Sequence, residues 1–294
     1  MKNYSKINFV LSQKLCKNIM KEYAKSFYFA NKLLPKIKRE AAYSIYGFCR
    51  YADNIVDNPR NRTIEEVKNE ILCLKNELIL AYKYKESEHP ILSSFIYYAE
   101  YFKIPIDYPL DLLDGVLMDT EIKGFVTFEE LYVYCYKVAS VVGLMMCYIL
   151  GFKTNEALIY AEKMGIAMQL TNILRDIKED KNKDRIYIPI EDLNRFKVTK
   201  EQIIKEDFDI NIQNLIQYYT DKAQEYYNES YTGINLLDKN ARFSIFAAGR
   251  IYSEILIKIK NNQYNPFLER VVVSKNNKYN ILILEILKSI ISKK

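Results

Sequence analysis

The sequence predicts an all-α protein. Only 8 Gly and 7 Pro occur among the 294 residues, so few positions favour chain reversal and long helices are expected. Apolar residues recur at helical spacing over most of the chain, and no run alternates apolar and polar residues as a strand does. Because neither an internal repeat nor a linker-like segment is found, we interpret residues 1–294 as one domain.

Apolar periodicity and helix-start signals place the helices in chain order. Two capping boxes, Thr63/Glu66 and Thr127/Glu130, each mark a start. The second opens the longest apolar helix, which contains YVYCYKVASVVGLMMCYIL. The predicted helical segments are 7–32, 36–57, 63–83, two short ones punctuated by Pro90, Pro105 and Pro109, 127–150, one containing 169–180, 199–205, 208–235, 240–262 and 277–292.

Composition excludes several classes of protein. The net charge of +6 suits an anionic ligand or a membrane surface, but no basic block has interleaved aromatic residues, so nucleic acid is not an expected partner. The 5 Cys follow no metal-ligand spacing and predict reduced core residues of a cytoplasmic protein. With His89 as its single histidine, the chain cannot build a catalytic triad or a zinc site on imidazoles.

The apolar segments do not predict a membrane span. The first thirteen residues lack the long apolar region of a signal peptide. The uncharged run 141–152 is too short to cross a bilayer, and 281–291 is interrupted by Glu285 and Lys288. We therefore expect a cytoplasmic protein, and peripheral contact with a membrane stays open.

The stretch 169–187, QLTNILRDIKEDKNKDRIY, carries polar groups where a helix should bury one face. At 3.6 residues per turn, Asn172, Asp176 and Asp180 form a stripe roughly 12 Å long. Ligand oxygens one turn apart suit Mg²⁺, which binds through one or two carboxylates, waters and substrate phosphate oxygens. Acid pairs at this spacing are also typical of a solvated helix face, although such a face normally alternates its acids with Lys.

A second acidic motif lies about 120 residues earlier. Asp53 and Asp57 are one helical turn apart, and Arg50 precedes them by one turn. If the two motifs face each other, their carboxylates repel by about 1 to 4 kcal/mol per pair, a cost that bound cations would offset. Magnesium held there would bind a diphosphate and make it a leaving group. The resulting allylic carbocation would need a dry, aromatic-lined cavity.

In this order and spacing, the segments KSF (25–27), IYGFCRYADNIVD, YCYKVASVVG, QLTNILRDIKED and DRIYIP resemble the squalene/phytoene synthases. Within that family they most resemble the bacterial dehydrosqualene (diapophytoene) synthases. The resemblance extends from about residue 15 to 280. It implies a single-domain isoprenoid-synthase helical bundle with a central cavity, in which Mg²⁺ bridges the diphosphates of the substrates.

The resemblance also assigns roles to individual residues. The expected catalytic carboxylates are Asp53, Asp57, Asp176 and Asp180. The expected Mg²⁺ ligands are Asp53, Asp57, Asn172 and Asp176. The expected substrate-binding residues are Lys25, Ser26, Tyr46, Arg50, Gln169, Arg175 and Tyr252. Further matches, without an assigned role, are Tyr134, Tyr187, Arg270 and Lys278.

The function implied is a Mg²⁺-dependent transferase of isoprenoid biosynthesis that joins two prenyl diphosphates head to head. We expect two C15 farnesyl diphosphates to give dehydrosqualene, for C30 carotenoid biosynthesis, through presqualene diphosphate. The alternatives are a C20 phytoene synthase and formation of squalene or hydroxysqualene, for which use of NADPH stays open. A non-catalytic helical assembly factor is an alternative of another class. Peripheral membrane contact would serve product release, and the oligomeric state is left open.

Three positions depart from the family pattern. Tyr23 replaces a frequent His and is expected to alter one diphosphate contact. Asn54 replaces a common Asp but leaves the DxxxD spacing intact. Ser140 replaces a usual Gly and is expected to narrow the cavity. Together with Ala139 and Gly143, it forms a small-residue patch where another helix or an elongated ligand could approach closely.

Overall fold

The computed structural model describes residues 4–58, 60–274, 276–281 and 283–284, which are mostly helical and contain no strand. This confirms the all-α prediction. Single bridges join Gly124 to Ile186 and Phe152 to Leu237. The helices are α1 (Tyr4–Tyr23), α2 (Lys25–Asn31), α3 (Lys36–Asp57), α4 (Ile64–Tyr84), α5 (Leu92–Phe102), α6 (Asp107–Met118), α7 (Phe128–Cys135), α8 (Val141–Leu150), α9 (Glu156–Lys181), α10 (Ile190–Arg195), α11 (Lys200–Lys205), α12 (Ile210–Thr232) and α13 (Lys239–Asn261).

The observed helices depart from the prediction at Ala24 and after Pro189. The segment 7–32 is broken at Ala24, which leaves helical geometry (φ −126°, ψ 53°), and α2 then packs against α13. Alanine favours helix, so the break is a tertiary effect. The six-residue α10 after Pro189 was not predicted. The final predicted helix, 277–292, lies partly outside the described residues, of which 276–281 and 283–284 are helical.

The capping boxes are formed to different degrees. In α4, the Thr63 side chain accepts from the Glu66 amide while the Glu66 carboxylate accepts from the Thr63 amide. At α7, Thr127 accepts from the Glu130 amide, but the Glu130 carboxylate accepts instead from the amide of Val126. Both arrangements satisfy amide groups that a helix start leaves without partners.

Helix α9 lies at the centre of the fold, because it packs against α8, α12 and α13. One apolar core surrounds it and includes Leu170, Ile216 and Tyr227. A second core joins α1, α3, α4, α5, α6 and α8 around Phe48 and Phe95. The site described below lies between these two cores.

A π-helical turn, Tyr136–Ser140, connects α7 to α8 and lies against α9. The contact depends on Gly165, because a Cβ atom there would lie 2.4 Å from Cα and 2.6 Å from the amide nitrogen of Ser140. Gly143 of α8 similarly approaches the carbonyl oxygen of Ala161. The small-residue patch therefore receives a neighbouring helix, as one of the two sequence-based alternatives proposed. Ala139 and Gly143 also line the internal cavity, so the approach of a ligand stays a prediction.

We expect Gly165→Ala to lower the free energy of unfolding by about 1–3 kcal/mol, because the added methyl group meets backbone atoms that cannot rotate away. Urea denaturation monitored by circular dichroism measures this change. Ile159→Ala is the control, since Ile159 lies on the same helix and is 56% exposed; its effect should stay within about 0.5 kcal/mol. Equal stability of Gly165→Ala and wild type would contradict the close approach.

The continuous helical run Phe128–Leu150 is long and apolar enough to cross a membrane. It is longer than the uncharged run 141–152 on which the sequence-based exclusion rested. Half of its most apolar window is buried inside the protein, and Tyr134, Val142 and Met146 line the internal cavity. We interpret the run as a core helix because part of it is buried and part lines the internal cavity. The core helix of a folded protein meets the same length and composition criteria as a membrane span.

Candidate active site

A cavity of about 620 Å³ lies between α3, α6, α8, α9 and α13. This volume is in the range of pockets that bind small molecules, roughly 300–1,000 Å³. Both acidic motifs line it, so the predicted convergence of Asp53, Asp57, Asp176 and Asp180 on one space is found. The other predicted residues and family matches that line the cavity are Tyr46, Arg50, Tyr134, Gln169, Asn172, Arg175, Tyr187, Tyr252 and Arg270.

Helix α3 presents the first motif near its C-terminal end. Arg50 donates to Asp57, with 3.4 Å between Nη1 and Oδ2. Burial, followed by repulsion from Asp57 and Asp119, raises the pKa of Asp53 to about 7, against the opposing attraction of Arg50. Burial is thus the largest cause of the raised pKa of Asp53, and the two neighbouring carboxylates add to it.

Helix α9 presents the second motif, and its two carboxylates differ. Asp176 accepts hydrogen bonds from Arg175 Nε at 2.8 Å and from Arg270 Nε at 2.9 Å. Burial acts to raise the pKa of Asp176, but these two bonds lower it overall. At Asp180, burial and the charge of Asp176 raise the pKa to about 7 despite the attraction of Lys183 and Arg185. Asp176 is therefore compensated by cations, whereas Asp180 is not fully compensated.

The polar members of the α9 stripe are linked to α13. Asn172 donates to Gln169 Oε1 at 3.2 Å and accepts from the Tyr252 hydroxyl at 3.2 Å. The Tyr252 ring packs 5.5 Å from the ring of Phe27 on α2. These contacts orient the Asn172 side chain beside the carboxylates.

Sequence reasoning missed Asp119, a carboxylate between the two motifs. It follows α6, lines the cavity, and its charge helps to raise the pKa values of both Asp53 and Asp180. The hydroxyls of Tyr134 and Tyr187 donate to its Oδ1 at 2.9 Å and 3.1 Å. A signal was available: Leu112, Val116 and Asp119 recur at i, i+4 and i+7, so an acid continues the buried stripe of α6.

Arg185 was also missed, although it lies in the DRIYIP motif. Its Nη2 donates to the backbone carbonyl of Asp119 at 2.7 Å, and its Nη1 lies 3.5 Å from the Tyr187 hydroxyl. It lines the cavity together with Lys183. The acid-rich end of the cavity therefore also carries fixed cations from the segment that follows α9.

Away from the carboxylates, the cavity is lined mainly by apolar side chains, among them Leu150, Ala157 and Leu237. Helix α9 runs along its length. Ala157 precedes Asp176 by nineteen residues, which is about 28 Å at the rise of an α-helix. Apolar side chains that line this part are Val138, Val142, Met146, Met164, Met168, Ile234 and Ile245.

The family profile described as squalene/phytoene synthase matches residues 20–277. The chain belongs to the squalene/phytoene synthase family. It is 34% identical to the 15-cis-phytoene synthase of Synechocystis sp. over 271 residues, covering 88% of this chain and 80% of the relative. It is 32% identical to the 15-cis-phytoene synthase of Synechococcus elongatus, covering 88% and 87%.

Two solved structures of known proteins share the fold of this family member. A dehydrosqualene synthase in complex with a ligand superposes with a TM-score of 0.89 at 30% identity, covering 99% of this chain and 100% of that one. A squalene synthase from Alicyclobacillus acidocaldarius superposes with a TM-score of 0.80 at 23% identity, covering 87% and 95%, a likeness that shows the fold alone. The isoprenoid-synthase fold is therefore confirmed.

The three residues that depart from the family pattern, Tyr23, Asn54 and Ser140, have different surroundings. The guanidinium of Arg50 lies 4.8 Å from the centre of the Tyr23 ring. Ser140 does not narrow the cavity as expected, because it is fully buried and donates to the carbonyl of Glu162 at 2.8 Å. Asn54 is half-buried and is absent from the cavity lining, in which Asp53 and Asp57 lie.

Lys25 is not brought into the cavity. It lies exposed at the start of α2, and burial together with the charge of Lys25 lowers the pKa of Lys278. The side chain of Ser26 lies outside the described part of the structure. The substrate-binding roles of Lys25 and Ser26 therefore stay predictions.

The donor chemistry fits magnesium bound together with a substrate. Within the described ranges, no group of three or more His, Cys, Asp or Glu side chains is close enough to enclose an ion. The carboxylate and amide oxygens instead occur as pairs on α3 and α9. Magnesium needs one or two carboxylates when water and phosphate oxygens complete its shell. Asp53, Asp57, Asn172 and Asp176 remain the residues that would hold it.

Without metal, the protein should lose stability as the pH rises from about 4 to 7. The folded pKa of Asp53, about 7, exceeds the unfolded value near 3.9, so the folded state binds more protons in this window. We expect Asp53 to lower the free energy of unfolding by about 2 kcal/mol over this window. This is roughly half of the value that the full pKa shift of Asp53 implies, because water reaches part of the site.

Urea unfolding in EDTA at several pH values measures this slope, and Asp53→Asn should reduce it. The comparison with this variant is needed because other groups also contribute to the slope. Asp180, whose pKa is likewise raised to about 7, acts in the same direction as Asp53, whereas the lowered pKa values of Asp176 and His89 act in the opposite direction. Identical slopes for wild type and Asp53→Asn would contradict the raised pKa.

Proposed function

We propose that the protein condenses two farnesyl diphosphates head to head and forms dehydrosqualene through presqualene diphosphate. The observation that carries this proposal is that two acidic motifs, on α3 and α9, line one mainly apolar cavity. Such a cavity accommodates a polar diphosphate at one end and a long hydrocarbon along the rest. A non-catalytic scaffold would have no need to keep uncompensated carboxylates such as Asp53 beside an apolar cavity.

The cations around the carboxylates would bind the diphosphate oxygens. Arg50, Arg175, Arg185 and Arg270 all line the acid-rich end, and guanidinium groups form paired hydrogen bonds with phosphate. Arg175 and Arg270 donate to Asp176, and we expect them to exchange this carboxylate for phosphate oxygens when a diphosphate binds. Magnesium, when bound by the two acidic motifs, would stabilise the negative charge that develops on the departing diphosphate.

The remainder of the cavity would protect the carbocations. Its Met, Val and Ile side chains exclude water, which would otherwise quench an allylic cation. The rings of Phe27, Tyr46, Tyr134 and Tyr252 also line the cavity, with Tyr134 and Tyr252 hydrogen-bonded to Asp119 and Asn172 at its polar end, and would stabilise positive charge through their π-electrons. In the proposed sequence the donor ionises and releases its diphosphate, and the double bond of the second prenyl chain attacks the cation and loses a proton to close the cyclopropane of presqualene diphosphate. This intermediate then releases its own diphosphate, and loss of a second proton completes the triene.

A C20 phytoene synthase is the second candidate, because the curated relatives given above are phytoene synthases. The C15 assignment is supported by the superposition on a dehydrosqualene synthase over nearly the whole of both chains. Both candidates use the same chemistry and differ only in how much hydrocarbon the cavity must hold.

Product analysis tests the proposal. Purified protein is incubated with Mg²⁺ and either farnesyl or geranylgeranyl diphosphate, and the hydrocarbon is identified by mass spectrometry. Dehydrosqualene is the expected product, whereas exclusive turnover of the C20 substrate would overturn the C15 assignment. Parallel reactions with and without NADPH detect squalene formation, and an absence of any hydrocarbon would favour the non-catalytic alternative.

A further inference from the structure

The carboxylate of Asp119 accepts hydrogen bonds from two tyrosines that line the cavity. The Tyr134 hydroxyl lies 2.9 Å from Oδ1 and 3.2 Å from Oδ2, and the Tyr187 hydroxyl lies 3.1 Å from Oδ1. The two rings stack with their centres 5.4 Å apart. One side chain from the end of α6 thus holds a residue of α7 and a residue that follows α9.

The direction of these hydrogen bonds determines what each phenol offers to a ligand. A phenol has one hydrogen to donate, and an ionised carboxylate can only accept. With both hydrogens directed at Asp119, the phenol oxygens have only lone pairs left for other partners. Arg185 supports this arrangement, because its Nη2 donates to the Asp119 carbonyl and its Nη1 lies 3.5 Å from the Tyr187 oxygen.

We propose that Asp119 is a positioning residue that fixes Tyr134 and Tyr187 as hydrogen-bond acceptors facing the reacting carbocations. This inference rests on the proposed function and extends it to a residue outside both acidic motifs. Oriented lone pairs stabilise developing positive charge without reorganising during the reaction. A phenol that turned its hydrogen toward the cavity would instead oppose that charge.

The substitution Asp119→Asn tests this role with little change in volume. The Asn oxygen can still accept from both phenols, but the negative charge is lost and a donating nitrogen replaces Oδ2 beside the Tyr134 hydroxyl, so the phenol hydrogens are held less firmly toward residue 119. We expect kcat for hydrocarbon formation to fall about 10- to 100-fold while KM stays within about threefold. Asp192→Asn is the matched control, because Asp192 is buried, accepts from the Tyr219 hydroxyl, and does not line the cavity.

A double-mutant cycle distinguishes positioning from an independent effect. In a Tyr134→Phe/Tyr187→Phe background, Asp119→Asn should change kcat by no more than about twofold, because the groups it positions are gone. A full effect in that background, or wild-type kcat in the single variant, would overturn the inference. If the wild-type protein forms the hydrocarbon in the same assay, the proposed function holds. Either of the two contradicting results then rejects only the positioning role of Asp119.

Thermal unfolding supplies a readout that does not need turnover. The Tm shifts of Asp119→Asn and Tyr134→Phe should be non-additive, and strict additivity would contradict the contact even if no substrate were converted. If Asp119→Asn does not fold, Tyr187→Phe replaces it, since it removes one donor and keeps the carboxylate. That variant should lose about 3- to 10-fold in kcat at unchanged KM, and wild-type kcat would overturn the proposal.

Discussion

Replacing Asp53 or Asp176 by Ala should reduce hydrocarbon formation at least about 10²- to 10³-fold, because on the proposed function each change removes a carboxylate that would hold magnesium beside the leaving diphosphate. The two residues lie on different helices that line one cavity, and we expect either substitution alone to have this effect. Steady-state production of the hydrocarbon in the presence of Mg²⁺ measures the effect. Circular dichroism should show unchanged helicity for both variants.

The two variants should differ in their stability. Asp53 is repelled by Asp57 and Asp119, so its removal should leave Tm unchanged or raise it. Asp176 pairs with Arg175 and Arg270, so its removal leaves two cations without this partner and should lower Tm.

Asp114→Ala is the control, since this acid pairs with Lys75 and Lys137 away from the cavity. The variant should retain activity. Turnover retained in both cavity variants would refute the metal-binding role.

The second large effect concerns the length of the prenyl chain. Ala161 lines the cavity on α9, about 22 Å along the helix from Asp176. We expect Ala161→Phe to reduce kcat/KM for geranylgeranyl diphosphate by about 10- to 200-fold more than for farnesyl diphosphate, because the added ring occupies space that the longer chain needs. Competition between the two substrates in one reaction measures this ratio directly.

The exposed face of the same helix offers a matched control. Ile159 is 56% exposed, and Ile159→Phe adds the same ring two residues away without entering the cavity. It should leave the C15 to C20 ratio unchanged. An equal loss for both substrates in Ala161→Phe would show that the block lies nearer the diphosphates than proposed, and no loss would show that the chains do not reach α9 at this depth.

Regular elements were largely predictable from the sequence, because helix periodicity and capping depend on neighbouring residues. The bounds of α3 and α4 agree closely with the predicted 36–57 and 63–83. The break at Ala24 was not predictable in this way. It separates α1 from α2 so that α2 can pack against α13, more than 200 residues later in the chain.

The candidate site was predictable only where its residues repeat within one helix. Asp53 and Asp57 share a turn spacing, as do Asn172, Asp176 and Asp180, and all of them line the cavity. Asp119 directly follows a helix that contains several other acids. What distinguishes it is its hydrogen bonds with tyrosines that are 15 and 68 residues away in sequence. Such partners become neighbours only when α6, α7 and the segment after α9 pack together.

By itself, the sequence determined the helical class, the spacing of the oxygen ligands and, through the resemblance, the enzyme family. Only the tertiary structure decided that the two motifs line one cavity and that their carboxylates differ. Asp53 and Asp176 each precede a second Asp by four residues and follow an Arg within one turn, but the pKa of Asp53 is raised and that of Asp176 is lowered. The physical reason is that helix spacing is set by local backbone geometry, whereas burial and Coulomb interactions depend on groups that folding brings together, such as Arg270 beside Asp176.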